Sequence, residues 1–280
     1  GCFTLGCAVC ASVTLAGHPV LGLLAAMAAG VCSGFVTAFL QTRLGIQSIL
    51  AGIIVNTGLY TINIAVMGFA SNLNLFACDS VFTWAKDAIG GTWYKLIVAA
   101  VIVALVGVLI SLFLNTRLGL SIRATGDNPD MVRASSITTG MMITIGLCVA
   151  NALTGLSGGL LAQYQKSCDI NLGTGMVTIA LASLIIGETI IGKGSMLKRV
   201  IGVILGSCLY RFIVAVALRL NVPAECLKLV SSIIVAGAIA FPYLKKQAVF
   251  YRQKRAAKAE NEQYIAELLR EERMGKGGNA

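Results

Sequence analysis

Arg123-Ala-Thr-Gly-Asp-Asn-Pro-Asp-Met-Val-Arg-Ala-Ser-Ser-Ile137 is a polar island between two long apolar stretches, and its reading decides what kind of molecule this is. It carries the start signals of a helix too short to cross a bilayer. Asn128 is placed to cap it, Pro129 suits the first helical position because the N–H it lacks would be orphaned there, and Asp130 sets negative charge in the first turn, where the helix dipole favours it. The pattern predicts a short helix over about 127–137, lying outside the membrane between two spans.

The surroundings are apolar. Of 280 residues, 57% are hydrophobic and 12% charged, with a mean hydropathy of +0.84, whereas a soluble domain carries roughly 25% charged residues. This composition is that of an integral membrane protein. Apolar runs near the ~20 residues that cross a ~30 Å hydrocarbon core recur, without the alternating polarity of barrel strands. The expected fold is therefore all-α, a polytopic helix bundle of about eight spans near 1–17, 20–41, 47–68, 94–115, 140–163, 174–192, 200–219 and 226–244. Residues 1–244 form the membrane domain, and 245–280 a charged helical tail.

A net charge of +10 raises nucleic acid as a partner, but the distribution of basic residues answers otherwise. Taking alternate connections together, one side holds Arg43, Arg117, Arg123, Arg133, Lys193, Lys198, Arg199 and the nine basic residues after Leu244. The other side keeps only Lys86, Lys95, Lys166, Arg219 and Lys228, with Arg211 inside a span. The positive-inside rule puts the 127–137 helix and the C-terminus in the cytoplasm of a multi-pass protein of the cell membrane. Basicity here reports topology and membrane lipid, not nucleic acid. The tail's basic beginning at Lys245-Lys246 is expected to rest on anionic headgroups.

The chain opens on Gly1 instead of Met and is apolar from its first residues, so a longer protein is expected to precede it. Residues 1–17 have no basic n-region and run straight into another span, unlike a signal peptide. The nine cysteines include Cys7-Ala-Val-Cys10, which in an apolar span with no second pair reads as packing. Cys78, Cys168 and Cys226 fall on the outer side, where spacing alone does not establish a disulfide. Glycine pairs Gly30/Gly34, Gly155/Gly159 and Gly202/Gly206 stand at small-xxx-small spacing and predict close helix packing. The longest outer connection, 69–93, has Trp84, Trp93 and Tyr94 near its ends, placed for a headgroup belt or for docking an external partner.

Gly187-Glu-Thr-Ile-Ile-Gly192-Lys193-Gly194 matches seven positions of the phosphate-binding loop GxxxxGK[ST] and fails at the eighth, where the Mg²⁺-binding hydroxyl belongs. Glu188 would also set a carboxylate against phosphates. The segment reads as a span end at Ile191 followed by an interfacial turn. With no HExxH, no GxSxG and one histidine, His18 in an outer turn, the chain lacks the residues of catalysis and holds no cofactor of its own.

Charges inside spans cost about 2.5–3.5 kcal/mol at mid-membrane on insertion scales, so Glu188 and Arg211 are candidates for a solute path or for pairing with polar neighbours. Asn56, Tyr60, Asn63 and Met67 share one face of the third span, and Asn151, Thr154 and Ser157 form a set in the fifth. Both sets suit a path lining, and both suit hydrogen bonding between helices.

Many spans, few membrane charges and no catalytic residues describe a permease without its own energy source. A separate ATPase would need a rigid cytoplasmic element to grip, and the 127–137 helix fits. The rivals are an ion-coupled secondary carrier using Glu188 or Arg211, and a membrane subunit that does not transport.

The run Thr116-Arg-Leu-Gly-Leu-Ser-Ile-Arg-Ala-Thr-Gly-Asp-Asn-Pro-Asp-Met-Val-Arg-Ala134, with Ala182-Ser-Leu-Ile-Ile-Gly-Glu188, resembles the permease subunits of ABC importers in the branched-chain amino acid and simple-sugar branch. The resemblance covers about 20–245 and departs at Ser135-Ser136. It implies a cytoplasmic ABC ATPase that binds ATP and Mg, an extracytoplasmic solute-binding protein, and a second copy of the permease as a homodimer or a pseudo-symmetric mate. It also implies that Gly126, Asp127, Asn128, Pro129, Asp130, Arg133 and Ala134 belong to the coupling helix. The expected function is ATP-driven import of a small polar solute by alternating access, an amino acid by the form of the 182–188 run, with a sugar or nucleoside as the alternative.

Overall fold

In a computed structural model, the residues described are 1–76, 78–91, 93–192 and 195–219, together with single helical positions between 232 and 254. Ten helices and two short strands occur among them: α1 Cys2–Leu15, α2 Pro19–Thr42, α3 Ser48–Val66, β1 Asn72–Asn74, α4 Val81–Ile89, α5 Tyr94–Asn115, α6 Arg117–Asp127, α7 Pro129–Ala134, α8 Thr139–Gln165, β2 Ser167–Asp169, α9 Met176–Ile191 and α10 Met196–Arg219. The polytopic all-α expectation is met. The chain forms two compact units, Gly1–Val177 and Thr178–Ala280.

Five of the eight expected spans stand among the described residues. Five described helices are long and apolar enough to cross a membrane: α2, α3, α5, α8 and Met196–Val216 of α10. The segments expected at 1–17 and 174–192 form apolar helices of 14 and 16 residues. At ~1.5 Å per residue they reach about 21 and 24 Å, short of the ~30 Å core. Left-handed Gly175 and Gly192, at φ +86° and +81°, bound α9 on both sides. Most of the eighth expected span, 226–244, and of the tail, 245–280, lies outside the described residues.

In the first unit α1, α2 and α8 pack on one another, and α3 lies against α1 and α2. Glycine makes this possible. A Cβ on Gly155 would run into the Ala26 carbonyl oxygen, and one on Gly30 into that of Asn151, so α2 and α8 meet backbone to backbone. Cys7, Ala8 and Ala11 of α1 are buried with Met67, Leu75, Ala162, Cys168 and Ile170. α1 is thus the inner helix of this unit. By contrast only 11% of the apolar window of α5 is buried, so its side chains face outward.

The connections between α3 and α5 and after α8 have more structure than their composition announces. β1 pairs antiparallel with β2, Asn72 opposite Asp169, Leu73 opposite Cys168 and Asn74 opposite Ser167. A reciprocal box starts α4: Ser80 Oγ accepts from the Thr83 amide at 3.2 Å, and Thr83 Oγ1 accepts from the Ser80 amide at 3.2 Å. Phe82 of α4 meets Tyr164 of α8 edge-on with centroids 5.6 Å apart, and Lys95 Nζ lies 4.9 Å from the Tyr164 ring centroid. Trp84 and Trp93 remain exposed, as interfacial aromatics are.

In the second unit α9 and α10 also cross on glycine. A Cβ on Gly187 would strike the Gly202 carbonyl oxygen, and one on Gly206 that of Ser183. Ala182 and Tyr210 are buried there with Ile179, Ile186 and Val214 packed around them.

Candidate functional site

The polar island folds as two helices meeting at Asn128. α6 ends at Asp127, Asn128 is extended at φ −153°, ψ 96°, and α7 begins at Pro129. The Asn128 side-chain oxygen accepts from the amides of Asp130 and Met131, each at 3.1 Å. That satisfies two donors the first turn leaves orphaned. α7 is six residues long, shorter than the 127–137 expected, because Ser136 turns left-handed at φ +60°. Asp127 belongs to the preceding helix and not to α7.

Two contacts hold α7 in place. Val132 is only 2% exposed, an apolar peg on an otherwise solvated helix, and Arg133 Nε donates to Thr139 Oγ1 at 3.3 Å. Arg133 also pairs with Asp130 at 3.6 Å, with the two side chains 68% and 87% exposed. Such a pair at helix spacing contributes only a few tenths of a kcal/mol. Its value is that it presents charge. Gly126, Asp127, Asn128, Pro129, Asp130, Arg133 and Ala134 are all exposed, with Met131 beside them at 55%.

α6 supports this element. Thr116 caps it by accepting from the Gly119 amide at 3.2 Å, and α6 lies against both α5 and α8. Here the Asn-Thr-Arg-Leu-Gly exit of α5 differs from the similar Gln-Thr-Arg-Leu-Gly exit of α2. Thr116 is extended and starts a new helix, while α2 runs on to Thr42 and closes at left-handed Gly45, φ +68°.

The stripe on α3 divides. Asn63 is 2% exposed while Tyr60 is 52% exposed, and Asn56 faces outward as well. Asn63 Nδ2 donates to the Gly1 carbonyl at 3.3 Å, and its Oδ1 has no partner. Cys2 Sγ reaches the Asn151 carbonyl at 3.4 Å. The start of α1 therefore stands between Asn63 of α3 and Asn151 of α8. Asn151 Nδ2 and Thr154 Oγ1 each donate at 2.9 Å within their own helix, and Thr154 is exposed. In the second unit Glu188 is half-buried and Arg211 exposed, with the Arg133–Asp130 bridge as the one ion pair among the described residues. Gly192 closes α9 one residue after Ile191, so Gly187-Glu-Thr-Ile-Ile is helix and not a phosphate loop. Lys193 and Gly194 lie outside the described residues.

Sequence reading missed the most connected polar side chain. Gln163 is fully buried; its Nε2 donates to the Pro19 carbonyl at 2.8 Å and to Thr14 Oγ1 at 3.3 Å. Its Oε1 accepts from the Val81 amide at 3.2 Å. One amide thus ties α8 to the α1–α2 turn and to the start of α4. Its signal in the sequence is a lone amide near the C-terminal end of an apolar run. Among described cysteines none is in a disulfide: Cys7, Cys10 and Cys168 are buried, Cys78 half-buried. Cys226 lies outside the described residues.

The family described as "Branched-chain amino acid transport system / permease component" matches residues 1–239. A tyrosine transport system permease protein of Clostridioides difficile (strain R20291) is 34% identical over 86% of this chain and 79% of its own length. The fructose import permease protein FruF of Bifidobacterium longum (strain NCC 2705) is 24% identical, over 86% of this chain and 67% of its own. The autoinducer 2 import system permease protein LsrC of Salmonella paratyphi B is 27% identical, over 84% and 66%. No solved structure matches the chain.

Proposed function

The chain belongs to the permease-component family of branched-chain amino acid transport systems, and from that membership we propose that it imports an amino acid with α7 as its joint to a cytoplasmic ABC ATPase. The observation that carries the joint is the capped and tethered helix itself. Asn128 fixes where it starts, Val132 and Arg133 fix it to the bundle, and its remaining side chains stand free to meet a partner. A six-residue helix of this kind has no stability by itself, since isolated helices shorter than ~12–15 residues are marginal. It is held in place by the rest of the protein and presents an exposed polar face.

In this reading ATP binding closes an ATPase dimer, two coupling helices move with it, and the spans rock to expose a solute path alternately to each side. Two copies of this chain form the permease, an extracytoplasmic binding protein delivers solute, and α7 and the C-terminus are cytoplasmic. Asn56, Tyr60, Asn63, Asn151 and Thr154 in the first unit, and Glu188 and Arg211 in the second, are the proposed path-lining residues, each within its own unit. The relative named for tyrosine transport favours an aromatic amino acid over a sugar.

Affinity purification of the tagged chain with its genomic neighbours tests this reading. It should bring down an ATPase without spans of its own, and the complex in proteoliposomes with its binding protein should take up labelled tyrosine in preference to fructose. A chain that purifies alone and transports under an ion gradient would contradict it.

A further inference from the structure

At the end of the first unit that carries α7, the last turns of α2 and the first turns of α8 enclose a groove of about 850 Å³. That volume falls within the ~300–1,000 Å³ typical of small-molecule sites. Phe35, Phe39 and Met141 form its apolar walls, and Arg43 and Thr138 stand among its lining. The polar groups present are specific in what they can offer. Thr42 spends its hydroxyl proton on the Ala38 carbonyl at 2.7 Å, and Thr144 spends its own on Gly140 at 2.8 Å. The Arg43 backbone amide donates to the Phe39 carbonyl at 2.9 Å, and its guanidinium makes no hydrogen bond or ion pair with any described residue. The groove therefore offers an apolar trough and a guanidinium unpartnered among the described residues.

We propose that this groove binds one anionic phospholipid of the cytoplasmic leaflet, an acyl chain lying along Phe35, Phe39 and Met141 and the phosphate group on Arg43. A zwitterionic amino acid would leave its ammonium against the guanidinium and its polar atoms against phenyl rings. A lipid matches both parts of the site. The charge around the groove agrees: Arg43, Arg117, Arg123 and Arg133 lie between the end of α2 or α5 and the start of α8, where the carboxylates among the described residues are Asp127 and Asp130, and Asp130 is engaged by Arg133. Basic residues at the cytoplasmic surface attract its anionic lipids.

The site adjoins the coupling element. Thr138 and Gly140 line the groove, and Thr139 between them accepts the hydrogen bond from Arg133. An occupied groove holds the first turn of α8, so lipid occupancy bears on how firmly α7 is anchored. This consequence rests on the coupling reading above.

Native mass spectrometry of the purified full chain, titrated with phosphatidylglycerol and with phosphatidylcholine of the same acyl chains, tests the proposal. Phosphatidylglycerol should bind more tightly, Arg43→Gln should weaken it about fivefold, and Arg43→Lys and Arg117→Gln should retain the preference. A benzophenone amino acid replacing Phe39 should form a lipid adduct on illumination. Arg43→Gln with unaltered preference, or a crosslink at position 39 to a second copy in place of lipid, would overturn the site. Intact lipid preference alongside unchanged uptake by Arg133→Glu would leave the lipid site standing and remove the coupling reading.

Discussion

Arg133 Nε donates to Thr139 Oγ1 at 3.3 Å, across the turn that separates the exposed helix α7 from the long helix α8. Val132, 2% exposed, is buried one residue before. A push on α7 is therefore delivered to the first turn of a helix that packs on both α1 and α2. That route, from a solvated six-residue helix into the α1–α2–α8 packing, is the basis of the coupling role proposed for α7.

Asn128→Ala should remove the acceptor that holds the Asp130 and Met131 amides. The cost is about 1 kcal/mol, local to α7. Hydrogen exchange should show faster exchange at 130 and 131 with α8 unchanged, and Asn128→Asp should restore protection.

Gly155→Ala should destabilise the first unit by about 1–3 kcal/mol, the usual cost of overpacking, because the new methyl meets the Ala26 carbonyl oxygen. Gly52→Ala and Gly58→Ala meet nothing within 4 Å and, as alanine is the better helix former, should be neutral or stabilising. Thermal unfolding in detergent separates the two groups.

Gln163→Leu should leave the Val81 amide without its acceptor and the Pro19 carbonyl without its donor. At roughly 1–3 kcal/mol for each buried group left unsatisfied, the melting temperature should fall clearly. Limited proteolysis should then cut first at the connection before α4, which this amide holds.

The spans were legible as apolar runs because the bilayer imposes their length, and the start of α7 was legible because capping is local chemistry. Asn128, Pro129 and Asp130 do in the structure what their residue types dictate. What could not be read was set by contacts distant in sequence. β1 and β2 pair residues 72–74 with 167–169, and no property of either trio announces the other. α6, which Thr116 starts by capping Gly119, has no expectation in the sequence reading because its last residues, 123–127, overlap the polar island. The stripe Asn56, Tyr60, Asn63 shares a helical face as its spacing requires, but burial divides it, since α1 covers the end that holds Asn63.

Glu188→Gln and Arg211→Met, expressed to wild-type levels, should each lower solute uptake several-fold if these residues line the path. Glu188 is half-buried and Arg211 exposed on helices of a membrane protein, where an unpaired charge facing lipid is costly. Unaltered uptake by either variant removes that residue from the path.

The central claim is that α7 transmits the ATPase's motion, and Arg133→Glu tests it most directly. The substitution removes the tether to Thr139 and reverses an exposed charge of α7, while position 133 itself lies outside every span-length helix. In proteoliposomes holding the permease, its ATPase and the binding protein, uptake and binding-protein-stimulated ATP hydrolysis should both be lost while melting temperature and ATPase-independent fold markers stay at wild-type values. Uptake and stimulated hydrolysis at wild-type rates in that variant would contradict the account.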